Sequence, residues 1–360
     1  LNMPVCNALK NHMCVTVDAS WRPCCRFNKF PRVNINDVNF ESYKSSEFYQ
    51  KIISDMENGW AEGCNKCQQE EARGQTSLRE VLNRELSGTN DIEYIELSLS
   101  NKCNLACKMC SPTYSTLWND IVTKNEDLSN YHHTVVQPLI KVDEVFSNVN
   151  LGKLKKIKYL GGEPFITPEI KKLFEYLEHK NIIQNIEFEC NTNCTLFPDK
   201  WLKYLDKFRK VTIELSLDGI GSINDYVRFG KKWSDIEPNI FKWSKHSKQS
   251  NVSLNIFSTV QAYNLHDMKN VKLLADSLKI KHYSSLLVVP NFLSVHVLPK
   301  KYLDEIKDDY NQKYYSSIHT NDSLFEEFKN YTSKMDNATR LFLKDVNPAL
   351  YTYMEEQNGR

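Results

Sequence analysis

The 360-residue sequence predicts an α/β fold. From about residue 92 strand-like segments alternate with helix-like ones, and the apolar residues follow the two periods in turn. Strands separated by helices imply a parallel sheet, and six repeats are too few for the eight-stranded barrel. Eleven cysteines, clustered rather than spread, suit an intracellular metalloprotein better than a secreted disulfide scaffold.

The expected strands cover 92–98, 156–160, 186–192, 211–217, 252–260 and 282–289. Helical patterns between them include 168–179, 199–208 and 265–278, with Pro168 and Asp199 near helix starts. Before the first strand, 14–24 reads as two short strands joined by a polar turn, with a thiol pair at the far end. A helix is expected to start at the Gly63-Cys-Asn-Lys-Cys segment and run towards Glu85. Beyond Pro299 the helical patterns 301–314, 322–334 and 337–354 are rich in charge and tyrosine, and their expected role is packing over the sheet. The expected division is therefore 1–90, 91–299 and 300–360.

Ordinary apolar and charged fractions describe a globular chain long enough for one large domain and a smaller unit. A net charge of +1 gives no electrostatic footprint for nucleic acid or an anionic membrane. The basic stretch from Lys153 to Lys158 reads as a solvated connection. No apolar run approaches the ~20 residues of a membrane span. No charged-then-apolar signal segment opens the chain, so a cytoplasmic location is expected.

The segment Asn101-Lys-Cys-Asn-Leu-Ala-Cys-Lys-Met-Cys-Ser-Pro holds Cys103, Cys107 and Cys110 just after an expected strand. A closed zinc or iron-sulfur site takes four protein ligands, so three in a tight loop point to a metal centre with one open position. Downstream, Tyr159-Leu-Gly-Gly-Glu-Pro reads as a strand ending in Gly161, Gly162 and Glu163. Glycines there admit close approach of a ligand, and the acid can accept from a ligand ammonium.

The cysteine spacing, with Asn104 after the first thiol and Met109 before the third, resembles the signature of the radical S-adenosylmethionine enzymes. The resemblance implies a partial (β/α)6 TIM-like barrel with functional residues at the carboxyl ends of its strands. It implies a four-iron cluster on Cys103, Cys107 and Cys110, whose open iron takes the amino and carboxylate groups of S-adenosylmethionine. Gly161, Gly162 and Glu163 look like the family motif for the methionine amino group. Ile186-Glu-Phe-Glu-Cys-Asn-Thr-Asn-Cys194 resembles the strand ending in Thr-Asn-Gly, which carries a cofactor role onto Thr192 and puts Cys194 where glycine is usual. Glu214-Leu-Ser-Leu-Asp-Gly219 resembles the strand whose serine meets the cofactor, here Ser216 and, more weakly, Asp218. Arg228 matches an arginine that in relatives pairs with the cofactor carboxylate, a task suited to a guanidinium fork.

The amino-terminal segment carries Cys6, Cys14, Cys24, Cys25, Cys64 and Cys67. Two thiols three residues apart at a helix start share a face, and the helix amino terminus favours thiolates, so a bound metal or cluster is expected over inert thiols. A first cysteine, a hairpin ending in Pro-Cys-Cys, then Gly-Cys-x-x-Cys and Glu-Glu resemble the SPASM or twitch modules that hold an auxiliary four-iron cluster. This implies Cys6, Cys24, Cys64 and Cys67 as its ligands, with Cys25 as the rival of Cys24; Cys14 has no counterpart. A four-cysteine zinc knot is compatible with the same spacing.

Enzymes resembling this arrangement oxidise, crosslink or epimerise peptides, and some act on sugars or aminocyclitols. A peptide or small-molecule substrate and a flavodoxin- or ferredoxin-type reductant are therefore implied. Epimerisation would need a thiol that returns a hydrogen atom, for which Cys190 and Cys194 stand near a strand end. An electron-transfer protein with two clusters and no cofactor cleavage is the reading from another class; the ligand-cradling strand ends argue against it.

Overall fold

A computed structural model describes residues 4–356. Its strands in chain order are β1 (His12–Val15), β2 (Ser20–Arg22), β3 (Val33–Asn34), β4 (Tyr94–Ser98), β5 (Ala106–Cys107), β6 (Lys156–Leu160), β7 (Glu187–Thr192), β8 (Lys210–Ser216), β9 (Arg228–Phe229), β10 (Val252–Val260) and β11 (Lys281–Leu286). The helices used below are α1 (Asn65–Ala72), α2 (Leu78–Glu85), α3 (Thr116–Lys124), α4 (Pro168–His179), α5 (Met268–Leu278) and α6 (Asp322–Thr339). The six expected strands are β4, β6, β7, β8, β10 and β11, with helices between them, so the α/β class and the alternation stand.

Packing groups the chain into two compact units, and this grouping runs across the three-part division by sequence. The first holds the chain up to Asn101, Val136–Cys190 and Lys200–Val211. Its strands lie in the order β7, β6, β4, β1, β2, β3, with β7–β6, β6–β4 and β4–β1 parallel and β1–β2 and β2–β3 antiparallel. Ile157, Tyr159 and Phe188 are buried on one face. Helix α4 packs its apolar stripe Ile170, Leu173, Phe174 and Leu177 inward, and the Phe174 and Phe188 rings meet edge-on at 5.1 Å. The other face is polar and half-buried, where Lys156 and Lys158 both pair with Glu189.

The second unit holds Lys102–Val135, Asn191–Asp199 and the chain from Thr212 onward. Here β11, β10 and β8 lie in that order, β10 and β11 pairing in parallel, and β5 and β9 form a separate antiparallel ribbon. Helix α6 buries Phe328, Tyr331 and Met335 in this unit.

Several local expectations need correction. The segment 14–24 does form two short antiparallel strands, but β1 also joins β4 in parallel, in the register His12↔Tyr94 to Val15↔Leu97. The cysteine-rich segment thus extends the sheet rather than standing beside it. The helix expected from Gly63 towards Glu85 is two helices: Gly74, at φ +70°, ends the first, and Ser77 with Glu80 caps the second in a reciprocal box. The last strand stops at Leu286, because Val288 and Val289 run exposed into Pro290, which has no N–H to donate. The helix expected over 199–208 shrinks to Leu202–Leu205. The first carboxy-terminal pattern is split into Lys300–Ile306 and Gln312–Tyr315, because Asp308 and Asn311 each accept the other's backbone N–H and close a turn. Asn337 belongs to α6, which ends at Thr339, and the third pattern forms Leu343–Val346 and Pro348–Glu356 instead.

Candidate metal centres and cofactor site

In the second unit the three-cysteine loop is held by its own sequence. The Thr116 hydroxyl donates to the Cys103 carbonyl at 3.0 Å and accepts from the Cys103 N–H at 3.3 Å. The Trp118 indole donates to the Cys107 carbonyl at 3.0 Å, and Ser115 donates to the carbonyl of Leu105. The Cys110 N–H closes a turn on the Cys107 carbonyl at 2.8 Å. The start of α3, directly after the loop, therefore fixes the loop's shape. Asn193 donates to the Cys103 sulfur at 3.8 Å and to Asn104 Oδ1 at 2.9 Å, and Asn104 donates to Thr195 at 2.9 Å. Burial raises the Cys107 thiol and raises Cys110 to about 11, against the lowering charge of Arg228. Thiols held neutral by burial become thiolates when a metal supplies the positive charge, so this donor set fits a bound iron cluster.

Lys108 was not foreseen. It is fully buried; its N–H donates to the Val227 carbonyl and its carbonyl accepts from the Tyr331 hydroxyl, both at 2.8 Å. Its ammonium lies 3.7 Å from Asp336 Oδ1 and 3.9 Å from the centre of the Tyr226 ring. Burial pulls the ammonium down to about 8, with Asp336 opposing. Asp336 accepts from the Tyr226 hydroxyl and the Leu343 N–H, each at 2.7 Å. Helix α6, which carries Tyr331 and Asp336, thus anchors the cysteine loop.

The β5–β9 ribbon sets Arg228 opposite Cys107. Arg228 Nη1 donates to Asp218 Oδ2 at 2.6 Å, and Asp218 Oδ1 accepts from the Thr259 N–H at 2.7 Å. Both Asp218 oxygens are engaged, so this residue braces Arg228. Gly230, at φ +131°, ends the ribbon where a Cβ would come within 2.5 Å of the Asn104 carbonyl and 2.9 Å of Leu117. Gly230→Ala is expected to cost about 1–3 kcal/mol and to loosen the loop, read as a lower Tm together with reduced iron after reconstitution.

Thr192 and Cys194 are buried, and Ser216 ends β8 half-buried; Met109 is half-buried within the loop. Cys194 adopts φ +60°, which explains why glycine is usual at this place in the resembling strand. Its N–H reaches Thr192 Oγ1 at 3.3 Å, and its carbonyl accepts from Asn239 at 3.0 Å.

In the first unit, Gly161 has φ +100°, and a Cβ there would lie 2.6 Å from the Ser100 carbonyl; that carbonyl accepts from the Gly162 N–H at 3.0 Å. The glycine pair therefore lets the turn after β6 lie against the end of β4. Glu163 is buried and accepts from the Phe165 N–H at 3.4 Å, capping a short 3-10 turn. Cys190 is fully buried on the same face of β7 as Phe188, away from Glu189 and Asn191. Both Cys190 and Cys194 are buried thiols.

The same unit gathers Cys6, Cys24, Cys64 and Cys67 around one cavity of about 30 Å³, with Phe27, Met56, Trp60 and Leu82 as apolar wall. Cys64 precedes α1 and Cys67 lies in its first turn. A Cβ at Gly63 would lie 2.3 Å from the Phe27 ring, so glycine before Cys64 lets that ring close the wall. Arg79 also lines the cavity; it stacks on Trp60 at 5.4 Å and pairs with Glu71 at 2.7 Å. Burial, aided by neighbouring thiols, raises Cys6 to about 11 and Cys24 and Cys64 to about 12. Among the described residues no three His, Cys, Asp or Glu side chains converge on a single metal ion. The four cysteines instead line one cavity, a donor set that fits a multi-iron cluster.

Cys25 does not line this cavity. Its thiol neighbours Glu96, which accepts from the Tyr94 hydroxyl at 2.8 Å and faces His12 Nε2 at 3.3 Å. Burial alone would raise the Glu96 carboxyl, but His12, Cys25 and Tyr94 together hold it near 2. Cys14 is buried opposite Glu96 in the β1–β4 register.

Residues 97–275 match the model of the Radical SAM superfamily. The chain is 28% identical over 171 residues to the radical SAM cyclopropyl synthase TigE of Paramaledivibacter caminithermalis, covering 44% of this chain and 34% of that protein. It is 30% identical over 132 residues to the GTP 3',8-cyclase of Clostridium botulinum, covering 36% of each. With the GTP 3',8-cyclase of Desulforamulus reducens it shares 26% identity over 192 residues, 53% of this chain and 54% of that protein. The chain thus spans about a third to about half the length of these relatives. Among solved structures it is similar to native anSMEcpe with bound AdoMet, with TM-score 0.42 and 21% identity over 63% of this chain and 62% of that one. Streptococcus suis SuiB bound to S-adenosylmethionine gives TM-score 0.37 and 15% identity over 78% of this chain and 61% of that one. No helix among the described residues is long and apolar enough to cross a membrane.

Proposed function

Residues 97–275 of the chain belong to the Radical SAM superfamily, and on that premise we propose an enzyme with two four-iron clusters that oxidises, crosslinks or epimerises a peptide. The family implies a cluster and S-adenosylmethionine, which together supply a 5'-deoxyadenosyl radical able to abstract a hydrogen atom from an unactivated C–H bond. The observation that carries the reading is the loop of three thiols, each with its backbone fixed by α3 or by a turn, and no fourth cysteine in the loop.

The chain's own residues have these roles. Cys103, Cys107 and Cys110 hold the cluster, and Asn193 orients Cys103 by donating to its sulfur. Gly161 and Gly162 keep the turn after β6 free of side chains, and Glu163 would be the acceptor for the methionine ammonium. Ser216, Thr192 and Met109 are the residues assigned to the remainder of the cofactor. Cys6, Cys24, Cys64 and Cys67 hold the auxiliary cluster in the cavity that they line. Its apolar wall of Phe27, Met56 and Leu82 excludes water, and exclusion of solvent tunes a cluster's potential. An auxiliary cluster held there would supply an electron acceptor for the oxidising outcomes, and a flavodoxin- or ferredoxin-type protein is the reductant this chemistry calls for.

The test is direct. Anaerobically reconstituted protein, reduced with dithionite in the presence of S-adenosylmethionine, is expected to release 5'-deoxyadenosine and methionine. No release, with or without a co-encoded peptide, sinks the reading. With a co-encoded peptide, loss of two hydrogens by mass spectrometry marks oxidation or crosslinking. Deuterium uptake from D2O at otherwise unchanged mass marks epimerisation.

A further inference from the structure

Arg228 stands across the β5–β9 ribbon from the middle cysteine of the loop. The neighbouring residues Lys108 and Val227 share a ladder hydrogen bond of 2.8 Å. Pairs alternate along an antiparallel ladder, so Cys107 and Arg228 form the non-hydrogen-bonded pair, whose side chains lie on one face at closest approach. The guanidinium is only 9% exposed as a residue, and Asp218 grips its Nη1 end at 2.6 Å. Asp218 is itself fixed by the Thr259 N–H at 2.7 Å, and its carbonyl accepts from Asn264 at 2.9 Å. The arginine therefore has little freedom to swing towards a ligand elsewhere.

Its Nε–H is buried and has no hydrogen-bond partner among the described residues. Buried donors in folded proteins are almost always paired, so one left open beside the loop marks a missing acceptor. The ladder puts Cys107 on the same face as Arg228 at closest approach, so the acceptor is expected on the cysteine side, where Asn193 already donates to the Cys103 sulfur at 3.8 Å.

We propose that Arg228, braced by Asp218, donates its Nε–H to a sulfur of the three-cysteine centre and sets that centre's reduction potential, rather than holding the cofactor carboxylate. This rests on the reading that the three thiols hold a four-iron cluster. Hydrogen bonds and positive charge at cluster sulfurs stabilise the reduced, more negative form and raise the potential. Arg228 is in these terms a positioning residue, acting on the cluster and not on the reacting atoms.

The test is an EPR-monitored redox titration of the full reconstituted chain, with the affinity for S-adenosylmethionine measured in parallel. Iron content and an EPR signal in the unsubstituted protein settle the underlying reading; their absence defeats that reading before Arg228 is considered. With the cluster present, Arg228→Met is expected to lower the midpoint potential by about 59 mV, a tenfold change in a one-electron reduction equilibrium. The same variant should change the affinity for S-adenosylmethionine by less than about threefold, well within a single tenfold step of 1.4 kcal/mol. Arg228→Lys keeps the charge but not the fixed N–H and should fall between the two. An unshifted potential with affinity weakened tenfold or more overturns the proposal and returns Arg228 to the carboxylate. If Arg228→Met takes up no iron, Arg228→Lys decides: a potential and EPR line shape identical to the unsubstituted protein overturns donation from Nε.

Discussion

Alanine at Cys103, Cys107 or Cys110 brings release of 5'-deoxyadenosine down to the level seen without enzyme, whereas alanine at Cys64 or Cys67 leaves it within about tenfold of the unsubstituted protein and abolishes product. The asymmetry follows from where the thiols sit. The first three belong to one short loop whose carbonyls are held by Thr116 and Trp118, so removing any one leaves two ligands for a centre that already lacks a fourth. Neither the remaining loop nor α3 has another thiol to substitute. Cys64 and Cys67 lie in the first compact unit, and the cysteine loop lies in the second. Losing the auxiliary ligands therefore leaves the loop's own hydrogen bonds in place. Cofactor cleavage and product are read from one assay mixture by chromatography, so a general folding defect would depress both and is distinguishable. Full turnover in either set contradicts the roles given.

What the sequence revealed, and what it did not, divides by the range of the interaction. The limits of β6, β10 and α4 are those expected, because each is set by local chemistry: strong periodicity in the strands and Pro168 at the helix start. The break between α1 and α2 was also legible, since Gly74 and the Ser77-x-x-Glu80 box mark an end and a start. The end of β11 was overestimated because Val288 and Val289 remain apolar, and apolar residues can equally be exposed before a proline. No local pattern signals that β1 pairs with β4, about eighty residues on, as the register His12↔Tyr94 shows. The same limit hid the grip of Asp336 on Lys108 and the bond from Asn193 to Cys103. Sequence spacing marked the cysteine loop, but the buried groups that shape it come from far along the chain.

Cys24 and Cys25 are the clearest case of a choice that spacing leaves open and side-chain direction decides. Cys24→Ala is expected to lose about half of the bound iron on reconstitution, whereas Cys25→Ala keeps all of it. Cys24 lines the cavity with Cys6, Cys64 and Cys67, and it packs with Cys6 against the core of Ala8, Leu82, Leu86 and Tyr94. The turn made by the Phe27 N–H on the Cys24 carbonyl at 3.1 Å holds it there. Cys25 is directed instead to Glu96, in company with Tyr94 and His12. Replacing it removes a buried neighbour of that carboxylate and leaves the Tyr94 and His12 contacts of Glu96 intact. Cys25→Ala should therefore melt at a lower temperature with unchanged iron, and Cys24→Ala should show the iron deficit together with loss of product. Iron analysis and thermal unfolding of the two variants separate these outcomes. A Cys25 variant that loses half its iron while the Cys24 variant retains it would reverse the assignment, and it would require the Glu96 contact to be exchanged for a metal bond when the cluster binds.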